Sequence, residues 1–178
     1  MLKSGDVLER YRVLSQVGEG GMGTVFLVEH LELHSRHALK VLAWQLSANT
    51  AHQERFLQEG RVMASLRHPN IAQVTDVVTE GVAGLVMEYV EGPTLSEWMD
   101  EHGAQDLASC RRLLHPVLKA VKAAHSHANR IVHRDIKPDN ILLGTDSEGD
   151  MRPVILDFGI AKLLGGRGRQ LCPPPPTT

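Results

Sequence analysis

Two stretches of this sequence concentrate side chains able to do chemistry. His133-Arg134-Asp135-Ile136-Lys137-Pro138-Asp139-Asn140 gathers carboxylates, cations and an amide into one polar segment, and Asp157-Phe158-Gly159 closes an apolar run. Far upstream lie Gly18-x-Gly20-x-x-Gly23 and Ala38-Leu39-Lys40. Taken singly, the glycine spacing suits a plain turn and the lysine suits a surface position. Context sharpens the glycines. Thr24-Val25-Phe26-Leu27-Val28 has the β-branched and aromatic character of a strand, so the loop joins two strands and does not open the helix that a dinucleotide-binding loop needs. Glycines in such a flap let backbone N–H groups approach phosphates closely.

The elements that must position these groups can be read from periodicity. Tyr11 to Val17 and Thr24 to His30 form a hairpin around the glycines, and His37 to Leu42 is a third strand. Ser47-Ala48-Asn49-Thr50 offers caps for a helix from His52 to Leu66, with Phe56, Met63 and Leu66 on an apolar stripe beside Val62. His68-Pro69-Asn70 ends that helix. Val74 to Thr79 and Gly84 to Val90 complete a five-stranded antiparallel sheet carrying one helix, an α+β arrangement.

Beyond Gly92-Pro93 the pattern turns helical. Thr94-Leu95-Ser96-Glu97 has capping-box spacing and starts a short helix to about His102. A long amphipathic helix follows from Asp106 to Asn129, with Leu107, Cys110, Leu114, Val117, Val121, Ala124 and Ala128 as its apolar stripe. Pro116 falls inside it, which costs about 3 kcal/mol unless the helix kinks or restarts. Ile131-Val132, Ile141 to Leu143 and Val154 to Leu156 read as short strands separated by polar turns. Gly165 to Thr178, with Pro173 to Pro176, is expected to be an extended, solvated tail, and less readily a polyproline ligand.

Bulk properties exclude several classes. With 19 Lys and Arg against 21 Asp and Glu, the charge of -2 leaves no basic surplus for nucleic acid or acidic membrane. Hydrophobic residues at 42% can supply a core. Cys110 and Cys172 make neither a Cys-x-x-Cys pair nor a disulfide framework, which fits a reducing, cytoplasmic compartment. No run approaches the roughly 18 apolar residues of a membrane helix. His125 and His127 suit the end of the long helix better than a metal, since carboxylate or cysteine partners are absent nearby.

The glycine loop, strand lysine, His133 to Asn140 segment and Asp157-Phe158-Gly159 occur in an order that resembles the protein kinases, specifically the bacterial Ser/Thr kinases of eukaryotic type, over about residues 7 to 164. The resemblance implies a bilobal kinase-like fold: an N-lobe over 1–90, an incomplete and mainly helical C-lobe over 91–164, and a disordered tail over 165–178. It implies ATP and Mg²⁺ as ligands and a protein with a Ser/Thr acceptor as partner. By the same resemblance Gly18, Gly20 and Gly23 cover the phosphates. Lys40 contacts them, held by Glu59 of the first helix, with Glu54 as the rival carboxylate. Met87 is the gatekeeper at the back of the pocket. The Glu88 carbonyl and Val90 N–H face the adenine, and Val25, Ala38 and Leu142 sandwich it. Asp135 accepts the substrate proton, and Lys137 neutralises the γ-phosphate in the Ser/Thr-kinase manner. Asn140 and Asp157 hold the metal, for which hard oxygen donors are suited. Arg134 corresponds to the residue that pairs with a phosphorylated activation loop.

The family pattern would continue to an Ala-Pro-Glu motif and further helices, none of which follows Lys162 here. The change to a basic and then proline-only tail suggests a shifted frame or premature stop in the gene. Without the supporting helices, the chain as written is expected to transfer little phosphate. The competing expectations are a nucleotide-binding regulator without turnover and a fragment without a role.

Overall fold

The computed structural model describes residues 2–21, 23–43, 47, 49–156 and 158. The expected tail, Gly159 and the Asp157 metal ligand lie outside them. A two-residue strand β1 (Val7–Leu8) precedes β2 (Tyr11–Gly20), β3 (Gly23–His30) and β4 (Arg36–Leu42). Helix α1 (Thr50–Ala64) follows, then β5 (Val74–Val78) and β6 (Gly84–Glu88). These strands form one antiparallel sheet in the order β1-β2-β3-β4-β6-β5. The sheet thus has six strands where the sequence pattern suggested five, the addition being β1, too short to carry a periodic signal.

Alternation along β4 divides the core into two. Leu39 points to one face, where it packs with Tyr11, Val13, Phe26, Val28, Val78 and Val86. Ala38 and Leu42 point to the other, into a larger cluster that includes Phe56 and Met63 of α1. Lys40 lies between Ala38 and Leu42 in this alternation and is only 6% exposed. The chain has therefore directed a cation towards the inner face of its sheet.

Helix α1 begins at Asn49, whose side chain accepts from the Ala51 N–H at 2.9 Å. It approaches the sheet at Gly60, where a Cβ would lie 2.2 Å from Cδ2 of the fully buried Leu85. The loop after α1 is sewn to the far half of the molecule. The Asn70 side chain donates to the Pro153 carbonyl at 2.8 Å, and Ile155 N–H donates to the Asn70 carbonyl at 2.9 Å.

Helix α2 (Leu95–His102) carries the expected capping box, with Thr94 and Glu97 each accepting the other's backbone N–H. Helix α3 (Leu107–Ser126) starts at Asp106, which accepts from Ser109 N–H at 2.7 Å. It continues through Pro116 without a break. The flanking Arg112 and His115 are exposed, so solvent can satisfy the carbonyl that proline frees. Its buried stripe is Leu113, Val117, Ala120 and Ala124. This corrects the expected stripe: Leu107 is 78% exposed and Leu114 47%. The small Ala120 and Ala124 bring the helix close to its neighbours on one edge, which turns both leucines outward.

Ile131-Val132 is not a strand. Ile131 N–H instead closes the end of α3 by donating to the Ala124 carbonyl at 3.0 Å. A single 3₁₀ turn, Pro138–Asn140, leads into the hairpin of β7 (Ile141–Thr145) and β8 (Met151–Ile155). Among the described residues, no helix is long and apolar enough to cross a membrane.

Candidate active site

The roof of the cleft is the β2–β3 hairpin, which stays paired to Gly20–Gly23 through register shifts between Val13 and Ser15 and between Gln16 and Gly18. Its glycines differ in what they permit. A Cβ at Gly23 would lie 2.0 Å from the Val41 carbonyl oxygen, so close packing of β3 on β4 demands glycine there. A Cβ at Gly20 would meet nothing within 4 Å, and one at Gly18 would only touch Val25 at 3.9 Å. Folding therefore does not require glycine at those two positions, and the bare backbone there leaves room for close approach of a ligand.

Val25, which pairs with Lys40 across the strands, packs in the same cluster as Ala38 and Met87, themselves cross-strand partners. Val90 and the partly buried Leu142 pack with Ala72 and Val154 in a separate cluster. The apolar residues implied for the base thus fall into a group from the sheet and a group from β7 and the hinge, the segment 88–93 that links β6 to α2. Between the two, the hinge lies tightly on β7: Leu143 N–H donates to the Pro93 carbonyl at 2.9 Å, and Gly92, at φ 150°, leaves no room for a Cβ, which would sit 2.1 Å from the Leu143 oxygen.

The floor is organised around Asp135. The Asn140 amide donates to the Asp135 carbonyl at 2.8 Å and to its carboxylate Oδ2 at 3.1 Å, and Lys137 Nζ lies 3.7 Å from the same Oδ2. With its N–H₂ so engaged, Asn140 keeps its Oδ1 as an oxygen donor. Arg134 takes a positive φ of 67°, which turns the backbone sharply before Asp135.

His133 fixes this loop and was quoted in the motif without a role of its own. It is buried, its Nε2–H donates to the Leu156 carbonyl at 2.7 Å, and its Nδ1 accepts the Asp135 N–H at 3.2 Å. Its ring meets Phe158 edge-on with centroids 4.7 Å apart. Phe158 in turn lines a void of about 10 Å³ with Met63, Val74 and Met87, so the loop is connected through aromatic packing to α1.

Glu59 departs from expectation. Its two carboxylate oxygens are enclosed and have no hydrogen-bond partner among the described residues, and its ion pair is to Arg55 Nε at 3.8 Å, not to Lys40. Arg55 is one turn away on the same helix, so this pairing needs no tertiary approach. Burial pushes the Glu59 carboxyl up to about 7, against the lowering fields of Arg55 and Arg134. Glu54, the rival, is exposed.

The donor set fits a nucleotide and a divalent metal: open glycines above, a buried lysine on the inner face of the sheet, and an amide oxygen beside a carboxylate below. Among the described residues, no group of three or more His, Cys, Asp or Glu is placed to hold a metal ion by itself.

A curled antiparallel sheet with one helix, hinged onto helices and a polar loop, is the arrangement of a protein-kinase fold. Residues 11–172 match the family model described as "Protein kinase domain", and the chain belongs to that family. It is 38% identical over 156 residues to the serine/threonine-protein kinase PrkC of Bacillus subtilis, covering 87% of this chain and 23% of that protein. It is 38% identical over 168 residues to the serine/threonine-protein kinase PknJ of Mycobacterium tuberculosis, covering 94% and 28%. The crystal structure of the Mycobacterium tuberculosis PknI kinase domain superposes with a TM-score of 0.75 at 32% identity, covering 91% of this chain and 64% of that one. The chain spans about a quarter of the length of the curated relatives it matches. Family membership implies ATP and a divalent metal, and the relatives do not favour the reading as a regulator without kinase chemistry.

Proposed function

We propose that this chain binds Mg-ATP between its sheet and its polar loop and supplies the transfer groups of a cytoplasmic protein serine/threonine kinase. The observation that carries the reading is the Asn140 clamp on Asp135 with Lys137 beside it, which holds a proton acceptor, a cation and a spare amide oxygen on one loop. Phosphoryl transfer passes through a loose transition state with charge on the phosphate oxygens, so positioned charges do most of the work.

In this reading Gly18, Gly20 and Gly23 cover the phosphates, and Lys40 neutralises the α- and β-phosphates. Asp135 accepts the proton of the Ser or Thr hydroxyl as its oxygen bonds to the γ-phosphorus and the bond to ADP breaks, while Lys137 faces the transferred group. Asn140 and Asp157 would hold Mg²⁺, which when bound neutralises phosphate charge. Met87, Glu88 and Val90 border the base, with Val25, Ala38 and Leu142 on its faces. Glu59 would hold Lys40 in place when the two side chains pair.

Calorimetry with Mg-ATP tests the reading. Wild type binds, and Lys40→Met, similar in size but without the cation, loses most of the affinity. Equal binding by both chains counts against the assigned site.

A further inference from the structure

Arg152 lies on β8 opposite Gly144 of β7, and cross-strand partners present their side chains to the same face of a hairpin. That face meets the hinge: a Cβ at Gly144 would come within 2.7 Å of Val90 Cγ1. The missing side chain at Gly144 lets the hinge settle on the hairpin, and the long side chain of Arg152 reaches past it. Its guanidinium forms a close ion pair between Nη2 and Glu88 Oε1 while Nη1 donates to the Pro69 carbonyl at 3.0 Å. Both ionic side chains are partly buried, at 24% and 31% exposed, so solvent screens this pair less than a surface one.

One guanidinium therefore joins the end of β6, the loop after α1 and the β7–β8 hairpin. Glu88 is held from its backbone as well, its N–H donating to the Gln73 carbonyl at 2.9 Å. Fixing a residue by both backbone and side chain sets the peptide plane that follows it, and an arginine fork does so with directional bonds that a lysine cannot supply.

We propose that Arg152 is a positioning residue for nucleotide recognition: by clamping Glu88 to the Pro69 carbonyl it sets the 88–90 backbone against which the purine edge docks. This deepens the kinase reading and rests on it. Arg152 touches no part of the nucleotide, so its loss weakens recognition of the base and leaves phosphate recognition to Lys40.

The test titrates the 178-residue chain with Mg-ADP and, separately, with adenosine. Arg152→Met is expected to weaken both by the same factor, about tenfold, whereas Lys40→Met weakens Mg-ADP and spares adenosine. Glu88→Gln behaves like Arg152→Met, and the double variant is no worse than either alone, because both remove one clamp. Exchanging the charges, Glu88→Arg with Arg152→Glu, recovers part of the adenosine affinity. If wild type binds and Arg152→Met binds adenosine equally well, or if the two single losses multiply in the double variant, the inference is overturned while the kinase reading stands. Should Arg152→Met fail to fold, unchanged adenosine affinity in Glu88→Gln overturns it equally. Wild type that binds neither ligand overturns both.

Discussion

The Asn140 amide donates to two oxygens of one residue, the carbonyl and the carboxylate of Asp135, at 2.8 and 3.1 Å. One side chain thereby fixes both the path of the loop and the direction of its acid. The Asn140 carbonyl also accepts the Leu156 N–H at 2.9 Å, so the clamp is anchored to the segment that follows β8.

Replacing Asn140 separates clamp from charge. Asn140→Ala leaves two Asp135 oxygens without their donor and is expected to cost about 1–2 kcal/mol in urea denaturation. Asn140→Asp keeps the shape but sets two carboxylates against each other, so it costs more at pH 7 and recovers as the pH falls towards 4. An Asn140→Asp variant no less stable than Asn140→Ala at pH 7 would show that the amide does not face the acid.

Gly60 is where α1 can approach the sheet. Alanine is favoured over glycine inside a helix by about 1 kcal/mol, yet here its methyl would press on Leu85 at 2.2 Å. Leu85 is fully buried and cannot swing clear, so overpacking of about 1–3 kcal/mol outweighs the propensity gain. Gly60→Ala is expected to lower stability by about 1 kcal/mol in chemical denaturation. A stabilised variant would mean that α1 can already stand away from β6 at no cost.

Much of the fold was legible because its signals are local. The β2–β3 hairpin, the strand bearing Lys40 and the Thr94–Glu97 capping box depend on residues a few positions apart, and the structure holds them where the pattern indicated. Face selection on α3 was not local: the choice of Leu113 over Leu114 as a buried residue depends on what packs against Ala120 and Ala124. The Glu59–Arg55 pair has an i,i+4 spacing that is readable in the sequence, but the motif directed Glu59 to Lys40 instead. Arg152 contacts Glu88 from 64 positions away and Pro69 from 83. In the sequence it is an arginine beside Pro153 at the head of an apolar strand, with Glu148 and Asp150 as nearer acidic neighbours than Glu88.

Metal dependence distinguishes the two aspartates of the proposed site. A metal ligand acts in the nucleotide-bound ground state, while a proton acceptor acts mainly during transfer. Asp157→Asn is therefore expected to raise the Mg²⁺ concentration needed for nucleotide binding severalfold, and Asp135→Asn to change it little. Titrating Mg²⁺ at fixed ADP against each variant reads this directly, and the reverse order would exchange the two roles.

Glu59 gives the chain a pH dependence whose sign can be worked out. Its carboxyl rises from 4.5 to about 7 on folding because burial disfavours the charge. Between those values the folded state holds a proton that the unfolded state has lost, so this group's contribution to stability falls as pH rises from about 4.5 to about 7 and is level beyond. His37 and His68 act oppositely, since burial lowers both below 6.5 and favours the folded state where they are neutral. Glu59→Gln removes the falling component alone. Relative to wild type, the variant should gain about 2 kcal/mol between pH 5 and pH 8, whatever fixed offset the buried amide introduces. Urea denaturation of both chains across that range is the measurement. A difference between them that stays constant with pH would mean that Glu59 is already ionised throughout, paired with a cation that holds it charged.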